Sequence, residues 1–389
     1  MPLNMLGAYG PWFARRVLGN GPARLSFRTG RFRSVDQWRR LARRRVLECI
    51  APVDLGDTPR VRIDDRRIAG DLHIERLSWQ LPMGPRTEAV FLKPAAASGR
   101  LPGILALHDH AGKKFLGWRK IALDGTPPWK VQTAHHEQYY GGVAWANELA
   151  RRGYAVLVHD TFPFASRRVR VADLPPQIHY GGVDPDPEDL DGFNRYNAFA
   201  AMHEHIVAKS LFSAGTTWPG VYLAEDRVAL DILCARKDVD PRRIGCGGLS
   251  GGGMRTVYLA GLDDRIRAAV CVGFMTTWRD VLLYKCFTHT WMMYAPLLPK
   301  DLDFPEILAL RAPAPVLVLN DIEDQLYTLA EMRRAHRMIA ETYKRAGAAG
   351  NYRCIFYPGP HKFDLPMQRD AFEFFDRHLR DAAAHPERS

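Results

Sequence analysis

The 389-residue sequence has no run approaching the roughly 18 consecutive apolar residues of a membrane span, so no spanning segment is expected. Its six cysteines (Cys49, Cys234, Cys246, Cys271, Cys286, Cys354) are scattered without a C-x-x-C pair. That excludes a disulfide framework and a cysteine zinc site. Several lie in apolar runs such as AAVCVGF, where a buried reduced thiol is the default, and the setting implied is a reducing cytoplasm. No acidic residue precedes Asp36. A secretory signal does not account for this, because the positive charges follow the apolar stretch and Gly7, Gly10 and Pro11 interrupt it. The segment is read as a mobile or partner-packed basic arm, with a membrane-surface or homo-oligomer contact as the secondary reading. The net charge of +11 comes without a helix-turn-helix, zinc-finger or RNP-like aromatic pattern, so nucleic acid is not the expected partner. No internal repeat is visible.

What is present is the balance of an ordinary globular protein, 47% hydrophobic and 25% charged. SVDQWRRLARRRVLECI (34–50) predicts an amphipathic helix started by Ser34. Residues 70–81 and 88–96 read as strands around a Pro-Met-Gly-Pro turn, and 101–112 as a short strand ending in a polar turn. Helix 143–153 leads into strand 154–160, and helix 221–239 into the strand RIGCGG. A further strand is read at 266–274, and strands at 315–321 and 352–359 are followed by helices at about 327–346 and 367–381. This alternation predicts an α/β protein with a mostly parallel central sheet, helices on both faces and inserted cap segments. Two irregular stretches, about 161–218 and 279–308, follow strands and are read as those insertions. Residues 1–85 are expected to form a basic arm, a helix and a first strand packing on a catalytic domain at 86–382.

The densest local signal is GGLSGGG (247–253), five glycines around one serine. Gly248-Leu249-Ser250-Gly251-Gly252 matches G-x-S-x-G in its required context of strand, sharp turn and helix. Such a turn projects the serine oxygen over the sheet edge, crowds the positions two before and two after it, and frees the Gly251 N–H for a developing oxyanion. A serine needs a base and a group that orients the base. With such an elbow the chain order is nucleophile, acid, histidine. The strand PVLVLN delivers Asp321, Glu323 and Asp324 at its end; Asp324 is preferred and Asp321 is the runner-up. His361 lies in the loop after the last strand. His289, His336, His378 and His385 are the other downstream histidines. A second oxyanion donor is expected from the N–H of His110 in HDHAG (108–112). His108 and His110 also invite a metal reading, but the further ligands that would follow closely are missing, and no metal or other cofactor is expected.

On the residues LALHDHAG, GGVAWANELARRGYAVLVHD, DRVALDILCARKDVDPRRIGCGGLSGGG, LVLNDIEDQ and FYPGPHKFD, the chain resembles the α/β-hydrolases, in particular the dienelactone-hydrolase-like and acetyl-xylan-esterase-like branches. The resemblance covers most of 86–380. It implies Ser250 as nucleophile, His361 as base, Asp324 as acid, and N–H donors from Gly251 and His110. The chain departs from dienelactone hydrolases proper, which use a cysteine nucleophile, and His108-Asp109 stands where His-Gly is usual. The expected activity is a serine esterase acting on a small-molecule ester. A peptidase or amidase on the same fold is the alternative, ahead of a metal-dependent hydrolase or a non-catalytic binding protein. Lys113, Phe115, Trp118, Phe162, Thr277 and Trp278, from strand-end loops, are expected to contact substrate.

Overall fold

The computed structural model describes residues 3–186 and 188–380. Among these, nine strands form one sheet in the order β1-β2-β3-β5-β4-β6-β7-β8-β9. β1 (Arg62–Ala69), β2 (Leu72–Trp79) and β3 (Thr87–Pro94) make an antiparallel edge, and β3 also runs antiparallel to β5 (Ala155–His159). From β5 onward all pairs are parallel: β4 (Leu101–Ala106), β6 (Val239–Leu249), β7 (Ile266–Val272), β8 (Val316–Asp321) and β9 (Tyr352–Tyr357).

The central strands are mostly apolar and buried because both faces are covered, β6 from Ile244 onward, after the partly exposed Asp-Pro-Arg-Arg at its start. Alternation still decides which face each side chain meets. Leu105 and Leu157 point into a core completed by helices α1 (Val35–Ile50), α5 (Trp218–Cys234) and α6 (Gly251–Leu262). Their neighbours Ile104 and Val156 point into a second core, against α3 (Trp145–Arg151) and α9 (Leu365–Phe375). In chain order, α2 (Lys130–Tyr140), α4 (Leu190–Ser213), α7 (Phe304–Ala309) and α8 (Leu329–Arg345) complete the longer helices. Ser34 starts α1 as expected, its side chain accepting from the N–H of Gln37.

Three helices and one strand differ from the sequence reading, the shortest helix being α7, which starts inside the second irregular stretch. α4 occupies 24 residues of the stretch read as irregular. Its apolar positions Phe193, Tyr196, Phe199 and Ala200 recur at helical spacing, and Asp189 caps it by accepting from Gly192 N–H. Aromatic and proline content on both sides hid that spacing. α2 carries little amphipathic pattern because its buried residues include Gln132, His135 and His136, polar side chains whose partners lie in the loop it covers. β1, RIDDRRIA, is largely exposed and highly charged, and only pairing with β2 makes it a strand. The expected last helix continues through a π-turn to Arg380, and its final residue, Asp381, lies outside the described residues.

The basic arm lies against the body. Met5 N–H donates to Leu283 O, and Leu25 N–H to Asp301 O. Arg24 and Arg45 pair with the Asp301 carboxylate, and Arg28 with Glu306. The missing acids of the arm are thus supplied by the second insertion itself, through Asp301 and Glu306. Among the described residues no helix is long and apolar enough to cross a membrane.

Candidate active site

β6 ends at Leu249 and α6 begins at Gly251, leaving Ser250 as the whole turn. Its backbone sits at φ 56°, ψ −116°, a conformation unfavourable for a residue with a Cβ. The turn is pinned on both sides: Ser250 N–H donates to Val272 O at 2.9 Å, and Ser250 O accepts from Met254 N–H at 2.9 Å. A Cβ on Gly248 or on Gly252 would run into Leu107 O, and one on Gly253 would lie 2.6 Å from Val272 O. One on Gly251 would lie 3.0 Å from the backbone nitrogen of His110. The glycines therefore let the elbow press against the end of β4 and bring the 251 and 110 backbones side by side.

Asp324 and His361 come from the loops after β8 and β9. The His361 Nδ1–H donates to Asp324 Oδ2 at 2.6 Å, and Asp324 Oδ1 accepts from Leu326 N–H at 2.8 Å. Asp321, the runner-up, instead accepts the N–H of Lys362 at 3.1 Å, and its Oδ1 is buried without a hydrogen-bond partner. Burial pushes the Asp321 carboxyl up to about 7. The imidazole of His361 leans on Gly273, where a Cβ would sit 2.9 Å from its Cε1. His361 Nε2 is the ring atom left without a partner, and Ser250, Gly251, His110, Asp324 and His361 all line one cavity of about 580 Å³. The arrangement has a hydroxyl, an imidazole with one nitrogen free, a carboxylate on the other nitrogen, and the 251 and 110 backbones lying against each other on the same cavity. That is the set of parts acyl transfer requires.

The turn carrying His110 is held from beneath. Lys120, fully buried, donates from Nζ to the carbonyls of Asp109 and His110, each at 2.7 Å. The Asp109 carboxylate, 1% exposed, accepts from Tyr140 OH and lies 3.1 Å from His135 Nε2 and 3.5 Å from Lys120 Nζ. These neighbours hold it ionised, well below the usual carboxylate range, against the cost of its burial. Asp109 is therefore a structural anchor for the turn. The His110 ring accepts from Gly112 N–H at Nδ1, which fixes Nε2–H as the donor to Glu204 Oε1 at 2.8 Å. Glu204, on α4, also takes the Lys114 ammonium and Thr290 Oγ1, tying the first insertion to the second over the cavity. His108 donates from Nδ1 to Asp109 O at 3.0 Å, and burial keeps it neutral. Both histidines of the H-D-H stretch are thus engaged in hydrogen bonds that hold the loop. Among the described residues the one group with metal-ligand spacing is Asp321, Asp324 and His361, with ligand atoms within 4.8 Å of one another. A cation there would compete with the 2.6 Å bond between Asp324 and His361.

The six residues expected to contact substrate do not line this cavity. Phe115 packs on Phe193 and Tyr196. Trp118 lies in the core beneath Arg119, and Phe162 packs on Trp218. Thr277 caps a short helical turn and donates to Glu331. Trp278 donates from Nε1 to Leu302 O and faces a separate apolar cavity of about 390 Å³. Lys113 stands just behind the wall, donating to Gln138 and lying 5.6 Å from the Tyr139 ring centre. The wall itself is built by residues not expected above to contact substrate: Gln138 and Tyr139 from α2, Glu204 from α4, Phe274 after β7, and from the second insertion Thr290 and His289, the latter named above only as another downstream histidine. Gln325, beside the expected acid, was the lining residue most accessible to sequence reasoning.

No family model matches the chain. A curated relative from Bacillus subtilis (strain 168), named "Putative hydrolase YtaP", is 26% identical over 336 residues, 84% of this chain and 96% of that protein. Among solved structures, the glucuronoyl esterase from Solibacter usitatus superposes with a TM-score of 0.64 at 16% identity, covering 92% of this chain and 98% of its own. A "putative acetyl xylan esterase" from Bacteroides fragilis NCTC 9343 superposes with a TM-score of 0.62 at 19% identity, covering 91% and 83%. With the mixed sheet, the strand–turn–helix at Ser250 and loops of β4, β6, β8 and β9 meeting at one end, this chain has the α/β-hydrolase fold.

Proposed function

We propose that the protein hydrolyses carboxylic esters through an acyl-enzyme on Ser250. The observation that carries this reading is the convergence of Ser250, His361 with its Asp324 bond, and the 251 and 110 backbones on one cavity. Ser250 Oγ attacks the ester carbonyl carbon as its proton passes to His361 Nε2, and Asp324 stabilises the imidazolium formed. The oxygen that gains charge is met by the N–H groups of Gly251 and His110, each contributing on the order of 3 kcal/mol to the barrier difference. Collapse breaks the bond to the alcohol, which leaves with the proton from Nε2. Water then attacks the acyl-enzyme, giving its proton to the same nitrogen, and the acid departs as Ser250 regains the proton. Residues 86–382, the last two outside the described residues, are proposed as the catalytic unit, with the N-terminal segment packed on it.

The alcohol part is proposed to be hydroxyl-rich. Gln138, Tyr139, Thr290 and Gln325 put hydrogen-bonding groups around the cavity, and proteins named as acetyl xylan and glucuronoyl esterases share the fold. Fluorophosphonate labelling tests the core of the proposal. Wild type should label, and Ser250→Ala and His361→Ala should not. A folded wild type that does not label refutes it. Comparing acetylated sugars with simple alkyl acetates then tests the alcohol preference.

A further inference from the structure

The buried ammonium of Lys120 sits on the carbonyl groups of the turn that carries His110. A trans peptide carries its C=O and N–H in opposite directions. The carbonyl of Asp109 and the N–H of His110 belong to one such peptide plane. Lys120 Nζ takes that carbonyl at 2.7 Å and the next one, His110 O, also at 2.7 Å. The plane's other edge, the His110 nitrogen, is the one lying against Gly251.

We propose that Lys120 is a positioning residue that fixes and polarises the His110 N–H as an oxyanion donor by holding the Asp109 carbonyl on the far side of the same peptide. The inference rests on the acyl-enzyme reading above. A cation on a carbonyl draws electron density through the amide and makes its N–H a stronger donor, and hydrogen bonds in series reinforce one another in a low-dielectric interior. His108 Nδ1–H donates to the same carbonyl at 3.0 Å, so the plane keeps a neutral partner without Lys120 but loses the charged one.

The groups facing the ammonium explain why a charge is tolerated there. Asp109 opposes it at 3.5 Å, and the Phe164 ring lies 4.5 Å away. Lys113 and Lys114 from the same loop raise the cost of the charge, and His108, His110 and His135 are each neutralised in part by it and by burial. Burial, offset by Asp109, brings Lys120 down to about 8. The charge is therefore present below that pH and lost above it.

The test is steady-state hydrolysis of a nitrophenyl acetate ester by wild type, Lys120→Met and Lys120→Arg across about pH 6 to 10. Loss of the clamp should lower kcat about 10- to 100-fold in Lys120→Met, part of the 10²–10³-fold cost of losing a donor outright, with KM within about twofold. Wild-type kcat should fall with a midpoint near pH 8, and Lys120→Arg, which stays charged, should restore much of the loss and flatten that alkaline limb. Wild type needs no variant to fold: a kcat flat through this range, or a folded Lys120→Met with unchanged kcat, overturns the inference and leaves the esterase reading standing. A wild type without Ser250-dependent turnover overturns both.

Discussion

Replacing Asp324 by Asn separates the two carboxylates that the strand end offers to His361. The Asp324 carboxylate is almost fully buried and accepts Nδ1–H at 2.6 Å, so in the transition state it faces a newly formed imidazolium. Unit charges about 4 Å apart interact by about 4 kcal/mol at an effective dielectric of about 20. That corresponds to a loss of about a thousandfold in kcat. An amide adds a second penalty, because its NH₂ can turn toward Nδ1 and favour the tautomer that has no lone pair at Nε2. The expected loss is therefore about 10³- to 10⁴-fold for Asp324→Asn, with KM little changed. Asp321→Asn, whose carboxyl bonds to the Lys362 backbone and not to the ring, should keep kcat within about threefold. Single-turnover acylation of both variants with a chromogenic ester, alongside circular dichroism to verify the fold, measures the difference. If Asp324→Asn retained a tenth of wild-type kcat while Asp321→Asn lost a hundredfold, the assignment of the acid would be reversed and the reasoning from the 2.6 Å bond would fail.

Two further outcomes follow from the same geometry. The Asp321 carboxyl, raised by burial to about 7, binds its proton more tightly folded than unfolded, so its contribution to stability is present below about pH 4 and is lost as pH rises through about 7. Asp321→Asn keeps an acceptor for Lys362 N–H without the charge, and should gain on the order of 3 kcal/mol over wild type at about pH 8 but nearly nothing at about pH 4; equal denaturant midpoint shifts at both pH values would contradict this. Gly251→Ala puts a Cβ 3.0 Å from the His110 nitrogen at the first position of a helix. A main-chain shift of a few tenths of an ångström relieves that contact, so stability should fall little while kcat falls about tenfold or more from a displaced donor. A parallel loss of Tm and kcat would mean the crowding is felt by the fold and not by the donor.

The elements and residues legible in the sequence are those whose cause is local. The alternation of the central strands, the Ser34 cap and the G-x-S-x-G turn each depend on residues within a few positions of one another. The histidine and acid could be narrowed to loops because the chain order after the elbow is fixed, but choosing Asp324 over Asp321 needs the 37 residues to His361 to be folded into 2.6 Å. The cavity wall was not legible, and for a physical reason. Gln138, Tyr139, Glu204 and Thr290 reach the site from helices and loops whose periodicity is blurred by polar residues buried on partners far along the chain. The aromatic residues chosen instead, Phe115, Trp118 and Phe162, are where such side chains most often go, into the core under the insertions.

The contrast between elbow and wall bears on what each can tolerate. Around Ser250 the backbones themselves are in contact: Gly248 and Gly252 against Leu107 O, Gly251 against His110 N. Adding a single carbon there must move main chain, so the reacting geometry is set by the closest-packed part of the molecule. The wall is held by side chains instead, with Glu204 joining His110, Lys114 and Thr290 across three segments. Exchanging side chains at Gln138, Tyr139 or Gln325 reshapes the cavity without touching that backbone junction. Under the proposed mechanism, substrate preference can therefore change in this chain while the chemistry at Ser250 stays as it is, and the lever with reach into both is Glu204, whose partner His110 supplies a side chain to the wall and is the proposed second backbone donor.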